Sequence, residues 1–147
     1  MNLPRLALRA LGRRLPITDG SIATPGVDGE ITIRRTRFGV PHVRATTEED
    51  AWFGLGFCHG QDRTFQLELR LRLVRGTLAE LVGADAVPLD ELSRRFGFRH
   101  HGERLLDELD SPHRASALAY AAGARTGATR GLRRRPHEFV LLRSRPE

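Results

Sequence analysis

The side chains best suited to chemistry are concentrated in one short stretch that begins at His59. Gln61, Asp62 and Arg63 follow it closely, and Gln66 comes three residues later. On a helix, residues four apart lie on the same side, which would pair His59 with Arg63 and Asp62 with Gln66. The surrounding residues are mostly apolar, and buried polar groups need hydrogen-bond partners. The pattern therefore favours a hydrogen-bonded polar brace inside a large fold over direct participation in catalysis.

A metal site is the second kind of chemistry that this stretch suggests, because His59 and Asp62 lie within one helical turn. A metal site needs further ligands at suitable spacing. The other histidines show no spacing that completes such a site; they are His42, His100, His101, His113 and His137. We therefore predict that the chain binds no metal ion and carries no cofactor.

The single cysteine, Cys58, has no partner for a disulfide within the chain. Its neighbours on the N-terminal side are Leu55, Gly56 and Phe57, which are apolar or small. A nucleophilic cysteine needs a base or an electropositive environment, and neither is identifiable here. The pattern predicts a small buried side chain.

The elements that must hold these residues can be predicted from local patterns. Polar and apolar residues alternate over residues 30–34, and a turn at residues 38–41 leads to a second strand at residues 42–44. This pattern predicts a β-hairpin. Another short strand is predicted at residues 21–23.

Helices are predicted for much of the remaining chain. Thr46 or Thr47, followed by three carboxylates, is typical of a helix start, and a long helical region follows. Further helical segments are predicted at residues 77–83, 88–96, 103–109 and 112–122. The tail, residues 131–147, is rich in arginine and proline and is predicted to cross the surface.

The composition of the 147-residue chain is that of a packed protein, with 39% hydrophobic and 29% charged residues. The formal charge of +6 raises the question of nucleic-acid binding. However, all 24 basic residues are arginine, aromatic residues make up only 6%, and acidic residues are interspersed. Biased arginine usage therefore explains the charge better than a binding face does, and no specific nucleic-acid partner is expected.

The N-terminal segment, residues 1–19, differs from the rest in its pattern. Residues 2–14 carry apolar side chains at helical spacing with arginines between them, which predicts a short basic helix docked on the protein body. The uninterrupted apolar core of a secretory signal is missing, so we expect a cytoplasmic location. No stretch approaches the ~20 apolar residues that a membrane span requires, and no membrane partner is expected.

Three stretches, in order, resemble the α chain of the penicillin acylase family of N-terminal-nucleophile hydrolases. Residues 31–43 resemble that family's opening strand, its Gly-x-Pro-His turn and its return strand. Residues 51–69 resemble its G-[FY]-x-x-[AG]-Q-D-R-x-[FW]-Q-[ML]-[ED] helix, and residues 75–83 the helix that follows. Residues 136–146 resemble the short segment that introduces the substrate-pocket region. The resemblance covers residues 20–147.

The resemblance implies an α+β fold. This chain would be the mainly helical N-terminal α-chain part of an αββα sandwich, with a short N-terminal β-hairpin. Residues 20–147 would then be an incomplete domain. The partner would be a serine-initiated β chain from the same precursor or a neighbouring gene.

The resemblance also implies a reaction, the hydrolysis of N-acyl amide bonds such as those of β-lactam side chains or acyl-homoserine lactones. The attacking hydroxyl would belong to the first serine of the β chain, whose own α-amino group acts as the base. The family's pocket residues and calcium ligand would lie beyond Glu147. Ser21 follows Gly20 but lies far upstream of the processing junction, so the chain alone is expected to be inactive and to supply no catalytic residue.

Two other functions remain open at this point. One is a stand-alone helical adaptor, which the predicted helices would permit. The other is a basic nucleic-acid-binding module, which the net charge of +6 would permit.

Overall fold

The computed structural model describes residues 14–145. The predicted basic helix at the N-terminus therefore lies outside the described residues. Within them the chain is mostly helical and carries one two-stranded antiparallel sheet, so the predicted α+β class with a short hairpin is confirmed.

The hairpin consists of β1 (Thr32–Arg35) and β2 (Pro41–Arg44). Ile33 is paired with Val43, and the turn is closed by a 3.0 Å bond from the Thr36 N–H to the Val40 carbonyl. The predicted hairpin is thus confirmed in its position.

The strand predicted at residues 21–23 is wrong, because this segment has no regular structure. Strand formation would require a neighbouring backbone to satisfy its hydrogen-bonding groups. Instead, the Ala23 carbonyl accepts a hydrogen bond from the Arg130 side chain at 2.8 Å.

The long helix α1 (Glu48–Arg75) begins and ends with capping interactions that are visible in the sequence. The hydroxyl of Thr47 accepts a hydrogen bond from the Asp50 N–H at 3.1 Å. At the other end, Gly76 adopts the left-handed conformation, with φ of 68°, that closes many helices. The helix is interrupted at Arg63, whose φ of −135° and ψ of 27° are not helical.

Five more helices follow, with a 3₁₀ turn at Ala84–Ala86. They are α2 (Ala79–Val82), α3 (Val87–Phe96), α4 (Phe98–Glu108), α5 (Ser111–Arg130) and α6 (His137–Leu141). The helix predicted at residues 103–109 begins five residues earlier, at Phe98. Two further expectations need correction: the helix predicted to end at residue 122 continues to Arg130, and the predicted surface tail contains α6. Phe139 explains the second difference, since its ring is fully buried and packs edge-on against Phe65 with centroids 5.3 Å apart.

The core of the fold is the crossing of α1 and α5, where the two backbones touch. Gly56 and Gly60 of α1 face Tyr120 and Ala124 of α5, and a β-carbon on either glycine would overlap a backbone carbonyl of α5. The contact is reciprocal, because Gly123 and Gly127 of α5 lie equally close to the α1 backbone. Such a crossing requires glycine, since any side chain would push the helices apart.

Candidate functional site

Gln61 is the most connected polar residue of the predicted brace. It is buried where α1 bends, and its amide nitrogen donates to the backbone carbonyls of Ile17 at 2.6 Å and Gly131 at 2.8 Å. Its side-chain oxygen accepts a 2.8 Å hydrogen bond from the guanidinium of Arg35. One side chain thus links the segment before the hairpin, the end of α5 and the hairpin itself.

Arg35 forms a bidentate ion pair with Asp62 and also donates a hydrogen bond to Gln61. Its Nη1 and Nη2 atoms donate to the two carboxylate oxygens of Asp62 at 2.8 and 3.0 Å, and Nη1 also donates to the Gly39 carbonyl at 3.1 Å. Planar two-point pairing is geometrically specific and stronger than a neutral hydrogen bond. The pairing ties the hairpin to the middle of α1.

Arg35 is not among the predicted site residues, although the sequence carries a signal for it. Side chains two apart on a strand lie on the same face, so Arg35 shares the face of Ile33, whereas Arg34 is exposed. A cation on the inward face of a strand needs a buried or half-buried partner. Asp62 and Gln61 meet that need.

The other three members of the predicted brace lie apart from this cluster. His59 is half-buried, and its Nδ1 atom lies 2.9 Å from the Tyr120 hydroxyl of α5. Arg63 and Gln66 are both exposed. The structure therefore brings Gln61 and Asp62 together on Arg35, and it places His59 against α5.

Two buried carboxylates serve as backbone caps elsewhere in the fold. Asp50 accepts hydrogen bonds from the Asp28 and Gly29 N–H groups, each at 3.1 Å, and so holds the segment before the hairpin. Asp90 accepts from the Leu78 and Ala79 N–H groups at 2.8 and 2.9 Å. Both carboxylates are occupied by structural hydrogen bonds.

A buried ion pair lies near the end of α1. The Arg72 guanidinium donates to Glu68 at 2.6 Å and to Glu80 at 3.2 Å, and the side chains of Arg72 and Glu68 are both less than a tenth exposed. Charges buried to this degree are tolerated only when they are paired. The contact from Arg72 to Glu80, which lies on α2, holds α2 beside the end of α1.

A groove of about 580 Å³ lies between residues 17–33 and α1. Phe53, Phe57 and Gln61 lie on its helical side, and Ser21 lies on the opposite side in a segment without regular structure. A serine nucleophile requires a neighbouring base. No histidine is found among the described residues that line the groove, and its acidic lining residues are Asp19, Asp28 and Glu30. The groove does not have the composition of a serine hydrolase site.

Cys58 is only 1% exposed, as predicted, and burial raises the pKa of its thiol. Between residues 14 and 145, no group of three or more histidine, cysteine, aspartate or glutamate side chains could hold a metal ion.

No helix in the described part of the chain is both long and apolar enough to cross a membrane.

Comparison with known proteins gives a consistent result. The model of the penicillin amidase family matches residues 30–147. The chain is 38% identical over 138 residues to the penicillin acylase 2 proenzyme of Pseudomonas sp. (strain SE83), a match that covers 94% of this chain and 18% of that protein. It is also 35% identical over 91 residues to the acyl-homoserine lactone acylase QuiP of Pseudomonas fluorescens, covering 62% of this chain and 11% of that protein.

Among solved structures, the chain is similar to a thermostable penicillin G acylase from Alcaligenes faecalis. The TM-score is 0.69 at 30% sequence identity, and the match covers 80% of this chain and 64% of the solved chain. The chain therefore spans less than a fifth of the two curated relatives and about two thirds of the solved chain.

Proposed function

The chain belongs to the penicillin amidase family, and from this premise we propose that it forms the N-terminal part of the α chain of an enzyme that hydrolyses N-acyl amides. The observation that carries the proposal is the family match over residues 30–147, which includes the hairpin, α1 and α6. The penicillin amidase family is a family of hydrolases. The substrate class and the partner chain are what we propose for this protein.

Penicillins and acyl-homoserine lactones are the two substrate classes that the relatives support. The Pseudomonas sp. proenzyme is named a penicillin acylase, and the Pseudomonas fluorescens relative is named an acyl-homoserine lactone acylase. Both names describe cleavage of an acyl group from an amine. The reaction class is therefore shared, and the two substrate classes differ in the amine, a β-lactam nucleus or a homoserine lactone, as well as in the acyl group.

We assign the reacting groups to a second chain that begins with serine. Its hydroxyl would attack the amide carbonyl while its own α-amino group takes up the proton, an arrangement that requires a chain terminus. An α-amino group with a pKa of ~7.7–8.0 can accept a proton near neutral pH. Hydrogen-bond donors on the second chain would stabilise the tetrahedral intermediate.

The polar residues of the present chain support a scaffolding role in this enzyme. Arg35, Gln61 and Asp62 bond to one another and to backbone carbonyls, and Asp50 and Asp90 cap backbone N–H groups. Side chains already occupied in this way hold the hairpin and the helices in place. Substrate binding and bond cleavage would fall to other parts of the enzyme.

The test compares the 147-residue chain alone with the chain co-expressed with the remainder of the Pseudomonas sp. proenzyme. We expect no hydrolysis of penicillin G or of an acyl-homoserine lactone by the purified chain alone. The co-expressed pair should hydrolyse at least one of them, and replacement of the first serine of the second chain by alanine should abolish that activity.

A Ser21→Ala variant is the control within this chain, and it should leave the activity of the pair unchanged. Turnover by the purified chain alone that disappears in Ser21→Ala would contradict the proposal, because the nucleophile would then lie in this chain.

A further inference from the structure

Apolar side chains line both sides of the groove between residues 17–33 and α1. On one side lie residues 17–29, which we call the outer wall and which contribute Ile17, Ile22 and Val27; on the other side lie Phe53 and Phe57 of α1. Ile22 is 37% exposed, so part of this apolar surface faces solvent. The volume of about 580 Å³ falls within the roughly 300–1,000 Å³ of typical binding pockets.

The outer wall is held to the rest of the fold at three points. Its backbone groups form hydrogen bonds of 2.9, 2.8 and 3.1 Å at Ile17, Ala23 and Gly29, with Gly131, Arg130 and Asp50 respectively. Between the first two points, residues 18–22 form no hydrogen bond to another element of the described chain. This part of the wall is therefore open to packing by a further segment.

The rim of the groove is negatively charged. Asp19, Asp28 and Glu30 line it, and none of the three forms an ion pair with a residue in the range 14–145. The one cation among the described lining residues is Arg35, whose two Nη atoms already donate to Asp62 and to neighbouring acceptors. Carboxylates that share a rim repel one another, and a cationic partner removes that repulsion. The groove therefore fits a partner that is apolar on one side and basic beside it.

Residues 1–13 carry this combination of side chains. Leucines and alanines recur at helical spacing, Arg5, Arg9 and Arg13 are four residues apart, and the segment contains no acidic residue. Long arginine side chains can extend past an apolar stripe and place their charge at its edge. As a helix, residues 2–13 would be about 18 Å long. The segment thus complements the groove in both polarity and charge.

We propose that residues 1–13 dock in the groove of the same chain, with their leucines against Phe53 and Phe57 and their arginines beside the carboxylates of the rim. The segment joins the described chain at Arg14, three residues before Ile17 of the outer wall. A tether this short gives a roughly millimolar effective concentration at the groove. A second copy of the chain would have to compete with this tethered segment.

The position of the groove also favours the segment over a second chain. The family match begins at residue 30, so the outer wall and the basic segment both precede it. A surface that the family uses in common would be formed by matched residues, whereas this groove exists only because residues 17–29 form one of its sides. Docking of residues 1–13 would complete a part of the fold that lies before the matched region.

The experiment measures cross-linking within the 147-residue chain. The parent protein carries Ala7→Cys in the segment and Ser21→Cys in the outer wall, and Cys58→Ser removes the native thiol. A short bismaleimide joins the two introduced thiols, and mass distinguishes the intramolecular product from a cross-linked dimer. Two double charge reversals are added to the parent. The segment reversal is Arg5→Glu with Arg9→Glu, and the matched control is Arg133→Glu with Arg134→Glu, at exposed residues outside the groove lining.

We expect the segment reversal to lower the yield of intramolecular product about fivefold or more, because attractive pairs are replaced by repulsion. The control reversal should leave the yield unchanged, and high salt should lower the yield of the parent, because salt screens exposed charges. Equal yields for all three proteins would overturn the inference, because the tether alone would then explain the product. A product that is mainly a cross-linked dimer would also overturn it, since a second copy would then occupy the groove.

Co-expression tests the second chain as an occupant. The parent should give the same intramolecular yield with and without the remainder of the Pseudomonas sp. proenzyme. Loss of the product on co-expression would assign the groove to the remainder and overturn the inference, while the proposed function would stand.

Far-UV circular dichroism determines whether each variant keeps its helices. If the segment reversal loses them, the rim is changed instead, by Asp28→Asn with Glu30→Gln, at two exposed residues. The same reduction of the intramolecular product is expected, because the charge is then removed from the other side of the contact. An unchanged yield in this variant would overturn the inference.

Discussion

Gly60 of α1 lies so close to Ala124 of α5 that a methyl group on Gly60 would overlap the Ala124 carbonyl oxygen. The neighbour is backbone and cannot rotate away, so Gly60→Ala has to separate the helices. We expect it to lower the free energy of unfolding by about 1–3 kcal/mol or more, the usual cost of overpacking. Urea unfolding followed by far-UV circular dichroism measures the change.

Gly102→Ala is the matched control, because Gly102 lies within α4 and a β-carbon there would meet nothing within 4 Å. Alanine is a better helix former than glycine, so this change should stabilise the chain by about 0.5–1 kcal/mol. Equal effects of the two substitutions would show that helix propensity, rather than the crossing of α1 and α5, determines the outcome.

Gln61→Met should destabilise the chain by about 1–3 kcal/mol, the cost of leaving buried polar groups without partners. Methionine fills a similar volume but cannot donate to the carbonyls of Ile17 and Gly131 or accept from Arg35. Amide hydrogen exchange at Ile17 should also become faster, because its N–H bond to Gly131 loses support. The exposed Gln66→Met variant should stay within ~0.5 kcal/mol of wild type. A similar loss in both variants would refute a specific role for Gln61.

Arg35→Lys should cost about 1–2 kcal/mol, although it keeps the positive charge. Lysine cannot reproduce the planar, two-point pairing with Asp62 and the added bond to Gln61. The side chains of Arg35 and Asp62 are only 15% and 31% exposed, so solvent screens this pair incompletely. Arg34→Lys changes the exposed neighbour and should be nearly neutral. Urea midpoints that fall equally in both variants would mean that geometry is unimportant at residue 35.

Cys58 should react slowly with iodoacetamide in the folded chain. Burial disfavours the charged thiolate and so raises the pKa of the thiol, which lowers the fraction of reactive thiolate at any given pH. At pH 8 we expect labelling at least tenfold slower than in urea, and the rate should rise at higher pH than for an unfolded thiol. The Cys58→Ser variant provides the blank. Equal rates in the folded and unfolded chains would contradict this prediction.

Local patterns were sufficient to predict the hairpin and the start of α1, whereas the family was inferred from a resemblance to known sequence motifs. The hairpin depends on alternation over a few residues and on a turn, and the helix start depends on Thr47 and the three carboxylates that follow it. These features are determined by hydrogen bonds between neighbours in the chain. The predicted polar brace at residues 59–66 included Gln61 and Asp62 but not Arg35, the side chain that bonds to both.

The sequence by itself therefore determined the hairpin, the start of α1 and the burial of Cys58, because these follow from residue types within a few positions of one another. Only the tertiary structure decided that Gly60 contacts Ala124 and that Arg35 pairs with Asp62. It also decided that Phe139 packs against Phe65, so that the predicted tail contains a helix. It also decided that α3 turns its leucines outward. The physical reason is that periodicity shows which face of a helix is apolar, whereas contacts between distant residues decide which face is buried.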